Sequence, residues 1–109
     1  MANVYKVLAQ SYPNAITNTD IYTVGAGKNA VVSTLAITNI TGSQLTFRIA
    51  VRPAGETLAN KHYIAYDSKV AGNDTNFVTV GLTLGAGDVV TVYVATQGVT
   101  FSLYGTEIS

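Results

Sequence analysis

Residues 46–67 read TFRIAVRPAGETLANKHYIAYD, two alternating apolar and polar runs on either side of a PAGETLAN connection. In the first run Phe47, Ile49 and Val51 fall on one face, with Thr46, Arg48, Ala50 and Arg52 on the other. A period of two is that of a half-buried strand, because successive side chains of an extended backbone point to opposite sides. The same count over the second run puts His62, Ile64 and Tyr66 together, opposite Lys61, Tyr63, Ala65 and Asp67. The stretch also holds both arginines and the single histidine of the chain, so cooperating side chains are sought here first.

Upstream, residues 28–40 (KNAVVSTLAITNI) are rich in β-branched residues and read as a long central strand. Strict alternation places Val31, Leu35 and Ile37 on one of its faces and Val32, Thr34, Ala36 and Thr38 on the other. Thr41-Gly42-Ser43 leaves few residues before the Arg48 strand, which predicts an antiparallel hairpin between the two. Residues 20–24 (DIYTV) form a shorter strand that stops at Gly25-Ala26-Gly27.

Downstream, residues 68–74 are a loop around Gly72, after which Val78, Val80, Leu82 and Leu84 alternate with Phe77, Thr79, Gly81 and Thr83. Gly85-Ala86-Gly87 repeats the earlier punctuation, suggesting two similar hairpin connections. Residues 88–96 and 99–108 then flank Gln97-Gly98, which predicts a second hairpin. At the other end, residues 4–9 read as a strand, followed by SYPNAITNT as a loop or extended arm and the least tied-down part of the chain. No segment of ten or more residues has a helical period. The expectation is an all-β fold, an antiparallel β-sandwich or jelly roll of about eight strands without substantial helix. Residues 1–19 would be an N-terminal strand or arm and residues 20–109 a single sandwich domain.

Composition narrows the function classes. The chain has 109 residues, the size of one domain, and no cysteine, so disulfides and thiolate metal sites are excluded. That absence favours an intracellular origin or assembly into something larger. Six basic and six acidic residues give zero net charge, and only 11% of residues are charged against the usual quarter or so. Nucleic acid is not an expected partner, since phosphate contacts need a concentrated basic face. A lightly charged surface does little to keep copies apart, so self-association or docking on a larger body is expected. No run approaches the 18 apolar residues of a membrane span, and the start MANVYKVLAQSYPN lacks the pattern of a signal peptide.

Catalytic chemistry finds little to work with. His62 and Asp67 are five apart, so alternation sets them on opposite faces, and no GxSxG elbow is present. No catalytic residue is assigned, and His62 is expected on a partly exposed sheet face. Asp67, Asn73 and Asp74 sit near one loop, with Asp20, Glu56 and Asp88 in other turns. Turn carboxylates bonded to nearby backbone N–H groups explain these more cheaply than a calcium ion, so no metal is assigned. The Gly-Ala-Gly stretches lack GK[ST] or GxxG continuations and read as turns, leaving no expected cofactor or small-molecule substrate.

What remains is contact surface. Tyr63 and Tyr93 fall in the polar phase of their runs, where a large ring with a polar tip suits an interface. Arg48 and Arg52 share a strand face with Ala50 between them, a cationic stripe expected to pair with carboxylates on a neighbouring strand or subunit. The candidate assembly contacts are Arg48, Arg52, Glu56, Leu58, Asn60, Tyr63 and Tyr93, with the loop at 54–60 foremost. Sugar binding is the alternative from another class, with Tyr93, Tyr104 and Asn73 as candidates and the absence of tryptophan against it.

The order and spacing of FRIAVRPAG, LANKHYIAYD, LTLGAGDVVTVY and FSLYGTEI resemble a family of small virion proteins of tailed bacteriophages, over nearly the whole chain from Gln10 onward. Two departures stand out: Gly25 where a proline is expected in an LYTVPAG-like turn, and Tyr104 where phenylalanine is common. The resemblance implies a single β domain that is a structural part of the particle and not an enzyme. It implies either a capsid cement (decoration) protein bound to the major capsid protein, or a tail, baseplate or fibre component. The location would be the virion, assembled in the host cytoplasm. Small parts of this kind are expected as cyclic dimers or trimers.

Overall fold

The computed structural model describes residues 3–109 and, at Val80, the backbone alone. Eight strands form: β1 (Asn3–Ser11), β2 (Thr19–Thr23), β3 (Asn29–Asn39), β4 (Leu45–Arg52), β5 (Tyr63–Val70), β6 (Thr75–Leu84), β7 (Val89–Tyr93) and β8 (Val99–Ile108). They build two four-stranded sheets, β1-β8-β3-β6 and β2-β7-β4-β5, with antiparallel pairing throughout. Except at β4–β5, each connection carries the chain from one sheet to the other. This is the order of a jelly roll, two Greek keys folded into a sandwich.

The apolar faces of the strands close on one another. Ile37, Leu103, Val32, Val90 and Val92 are essentially out of contact with solvent. Phe47 of β4 and Phe101 of β8 meet edge-on across the interior with ring centres 6.1 Å apart. Such a pair is favoured by the ring quadrupoles over a face-to-face stack.

Neither expected hairpin forms. β3 and β4 lie in opposite sheets, as do β7 and β8, so their short links are arches over the end of the sandwich. A turn signal specifies only that the chain reverses. Each of these strands carries one apolar face, and stacking those faces buries more apolar surface than laying the strands edge to edge. Asn39, 1% exposed, holds the corner. Its Nδ2 donates to the carbonyls of Ser43 (2.7 Å) and Val70 (3.2 Å), and its Oδ1 accepts from the Thr41 N–H (2.9 Å) and hydroxyl (2.7 Å). The three links at this end are tied together by Ile40 N–H to Gly98 O (2.9 Å) and Asn73 N–H to Thr41 O (2.8 Å).

At the opposite end, the Gly-Ala-Gly stretches are two like turns but again not hairpins. Gly27 (φ 73°) and Gly87 (φ 84°) occupy the left-handed position each turn requires. Backbone bonds of 3.0 Å between Val24 and Asp88 and between Gly87 and Val24 join the two turns.

The strand expected over residues 4–9 forms as β1 (Asn3–Ser11). β1 pairs with β8 from Asn3↔Ile108 to Ser11↔Phe101 and forms one edge of the first sheet. The link after it is pinned by buried Pro13 and by the Ile16 N–H to the Val94 carbonyl (2.8 Å). Alternation also slips within β3, where a bulge at Ser33 lets Val32 and Leu35 both face inward and sends Val31 out. That reverses the facing expected for Val31 and Val32.

Candidate functional site

The outer face of β2-β7-β4-β5 carries a cluster centred on Arg48. Opposite it, Phe47 pairs with Ser68 and Ile49 with Ala65, so Tyr66 and Asp67 both oppose the single residue Arg48. Asp67 adopts φ 50° at this bulge. Its carboxylate accepts two bonds from the guanidinium, Nε at 2.7 Å and Nη2 at 3.3 Å. The guanidinium carbon lies 4.2 Å from the Tyr66 ring centre and 4.6 Å from that of Tyr93 on β7. The Asp67 hydrogen bond foremost, with the Asp67 charge behind it, raises the Arg48 pKa further against the opposing effect of partial desolvation.

A second register shift, between Ile49 and Ala50, brings Tyr63 opposite Ala50. Tyr63 and Tyr66 therefore share the outer face, edge-on at 4.9 Å, and Ala65 turns inward. Strict alternation had separated Tyr63 from Tyr66; the two shifts undo it. Asn60, Tyr63 and Tyr66 line a shallow depression of about 390 Å³ beside the cluster.

Arg52 does different work. Its Nη2 bonds Asp20 of β2 (2.9 Å), Nε bonds the Thr91 hydroxyl (3.0 Å), and Nη1 reaches the Glu56 carbonyl (2.8 Å). Thr91 in turn donates to Asp20 at 2.7 Å. The side chain thus braces the root of the β4–β5 link, which contains short 3₁₀ turns at Pro53–Gly55 and Asn60–His62. The cationic stripe is neutralised strand by strand: Arg48 by Asp67, Arg52 by Asp20.

His62 is buried at the end of the second 3₁₀ turn, not on a sheet face as expected. Its Nδ1 accepts the Ala59 N–H (3.0 Å), so the proton sits on Nε2, which donates to Glu56 Oε1 (3.2 Å). The Glu56 carboxyl is held below the usual range by the His62 bond and then by Lys61. Both ring nitrogens are engaged within the link, and Asp67 is not among their partners.

Of the candidate contacts, the fold brings Arg48, Tyr63 and Tyr93 together with Asn60 alongside, while Arg52 and Glu56 belong to the brace. Leu58 is half-buried in the same link. Sequence reasoning missed Tyr66, Asp67, Asp20 and Thr91 as members. The available signal was Asp67 itself, since aspartate is among the few residues that tolerate left-handed φ and so permit a bulge. The sugar-binding candidates are scattered: Tyr93 lies on this face, Tyr104 on the outer face of the other sheet, and Asn73 in an end link.

The turn carboxylates bond backbone groups, Asp74 to Thr75 N–H (2.8 Å) and Asp88 to the N–H groups of Gly85 (2.8 Å) and Ala54 (2.9 Å). Among the described residues no three His, Asp or Glu side chains converge as metal ligands would. A second concavity, about 490 Å³, opens between the β5 and β6 edges over Phe47, Ile49 and Val78. No protein-family model and no curated protein matches the chain.

Proposed function

We propose that this protein is a non-enzymatic structural component of a tailed-phage particle, a cement or decoration protein that bridges neighbouring subunits of the major capsid protein. The observation that carries the reading is the Arg48 cluster. An arginine held between two tyrosine rings and locked by a carboxylate is rotationally ordered before any partner arrives. Tyrosine and arginine dominate binding energy at protein interfaces, and ordering them in advance lowers the entropy lost on docking. The resemblance of FRIAVRPAG and LANKHYIAYD to small virion proteins supports the same role, as does a sparsely charged surface. The mechanism is mechanical: each copy adds association energy across a joint that internal pressure would otherwise separate.

Cryo-electron microscopy of purified particles tests this. Density for the domain at regular positions on the head, with the β2-β7-β4-β5 face against capsid subunits, is the expected result. Density confined to the tail would reject the cement role in favour of a tail, baseplate or fibre component. One observation favours a second reading: the depression of Asn60, Tyr63 and Tyr66 sets rings beside an amide, as sugar recognition requires. Saturable binding of the isolated domain on a glycan array, lost in Tyr66→Ala, would establish it instead.

A further inference from the structure

The outer face of the other sheet, β1-β8-β3-β6, has a different character. Cross-strand partners share a face, so its outward residues run in rows such as Val7–Tyr104–Thr34–Thr79 and Gln10–Ser102–Ala36–Phe77. Among the described residues, no outward position on these four strands is charged. The charged strand residues, Lys6 and Glu107, pair with each other at 2.7 Å on the inner side, where the Tyr22 hydroxyl also bonds Glu107 at 2.8 Å. On the outward side Tyr5 is 79% exposed, Phe77 72% and Val7 47%. The rest of the face is mostly threonine and serine hydroxyl.

We infer that this face is a self-association surface, on which a second copy of the chain packs face to face about a two-fold axis. The first argument is electrostatic. A two-fold contact sets a patch against its own copy, so any charge near the axis meets a like charge. A face with no charge has no such penalty, and hydroxyl groups serve as donor or acceptor whichever way the partner presents them. The opposite face, with Arg48, Arg52, Asp20 and Asp67, lacks this self-compatibility and suits a dissimilar partner. The second argument is size. Four strands of 9, 11, 10 and 10 residues, at about 3.3 Å per residue and about 4.8 Å apart, make a face of roughly 33 × 19 Å. That is the same order as the roughly 800 Å² per partner of a standard specific interface. The third is composition, since isolated exposed apolar residues are ordinary but several on one uncharged sheet face form a patch. The contact is made by the chain alone and stands apart from the particle role proposed above.

Sedimentation equilibrium of the full chain, from about 1 to 500 μM, tests it. The expected result is a monomer–dimer equilibrium that changes less than about threefold between 50 and 500 mM salt, because no exposed charge pair is involved. Phe77→Lys and Tyr104→Lys should each weaken the dimer at least tenfold while thermal unfolding shows a folded monomer. Gln44→Lys, an equal charge placed in an end link, should leave it intact. A chain that stays monomeric across the range overturns the inference. So does a dimer indifferent to both lysine variants, or a cyclic trimer, which has no two-fold.

Discussion

Asp67 faces Arg48 because β5 abandons alternation at that point: two residues oppose one, and Asp67 takes φ 50° to let its carboxylate reach across. The same irregularity brings Tyr66 over the guanidinium. One local departure therefore assembles an ion pair and a cation–π contact on the same side chain.

A double-mutant cycle on this pair should give a coupling of about 0.5–1 kcal/mol, the range for a partly exposed ion pair. Asp67→Asn isolates the charge, because asparagine tolerates the same backbone conformation. Arg48→Ala should cost about 0.5–1 kcal/mol beyond that, from loss of both ring contacts. Arg48→Lys should resemble Arg48→Ala more than wild type, since an ammonium neither forks onto the carboxylate nor stacks. Urea unfolding of the four variants measures each quantity; zero coupling would remove the ion pair from the site's bracing.

Asn39 holds the arch between β3 and β4 with four bonds in a buried position. Asn39→Ala strands the Ser43 and Val70 carbonyls and should cost about 2–4 kcal/mol. Asn39→Asp should be no better, because the carboxylate faces those carbonyls without a donor. Thermal unfolding should show a fall of roughly 10 °C or more for each. A shift under a few degrees would mean that water replaces the amide.

Two glycines separate packing from backbone strain. A Cβ on Gly105 would collide with the Val31 carbonyl at the β3 bulge, whereas one on Gly27 (φ 73°) meets open space. Gly105→Ala should therefore destabilise by about 2–4 kcal/mol, and Gly27→Ala by only about 1–2 kcal/mol for the left-handed conformation. Chemical denaturation of both gives the order directly, and the reverse order would contradict the tight β3–β8 approach.

Stability should form a plateau bounded by two different groups of residues. The Glu107 carboxyl is held low by the Lys6 and Tyr22 bonds, as Glu56 is by His62 and Lys61. A depressed folded-state value means that the unfolded chain takes up the proton first. This contribution is thus present above about pH 4.3 and lost as pH falls through the folded values. Tyr22 is pushed up, by burial first and the Glu107 bond next, so stability declines as pH rises past about 10, where the unfolded tyrosine ionises. Urea midpoints measured from pH 2 to 11 should show both limbs. Glu107→Gln should flatten the acid limb and Tyr22→Phe the alkaline one; unchanged limbs would assign the loss to other groups.

Much of the fold is legible in the residue pattern. Each of the eight strands overlaps a run that alternation and β-branched residues predict, because a strand's apolar face is written at every second residue. β5, however, starts after the 3₁₀ turn at Asn60–His62 and runs on to Val70 through residues expected in a loop. The turns at Gly27 and Gly87 are legible too, since the left-handed positions they need favour glycine. The Arg48 cluster was legible only in part. Arg48, Tyr63 and Tyr93 come from strict counting, which also sets Asp67 on the Tyr63 face, but Tyr66 joins them only through bulges that leave no fixed mark in a sequence.

Local sequence thus determined that residues 46–67 form two strands joined by an irregular link, in a chain of β-strands with little charge. Tertiary structure alone decided that β3 and β4 stack face to face instead of pairing. It also decided that Val31 faces out, that His62 is buried against Glu56, and that one sheet face carries no charge among the described residues. The physical reason is the range of the forces involved. Alternation and turn preference are set within a few residues, whereas sheet membership, bulges and the burial of His62 follow from closing two apolar faces on one another across the whole chain.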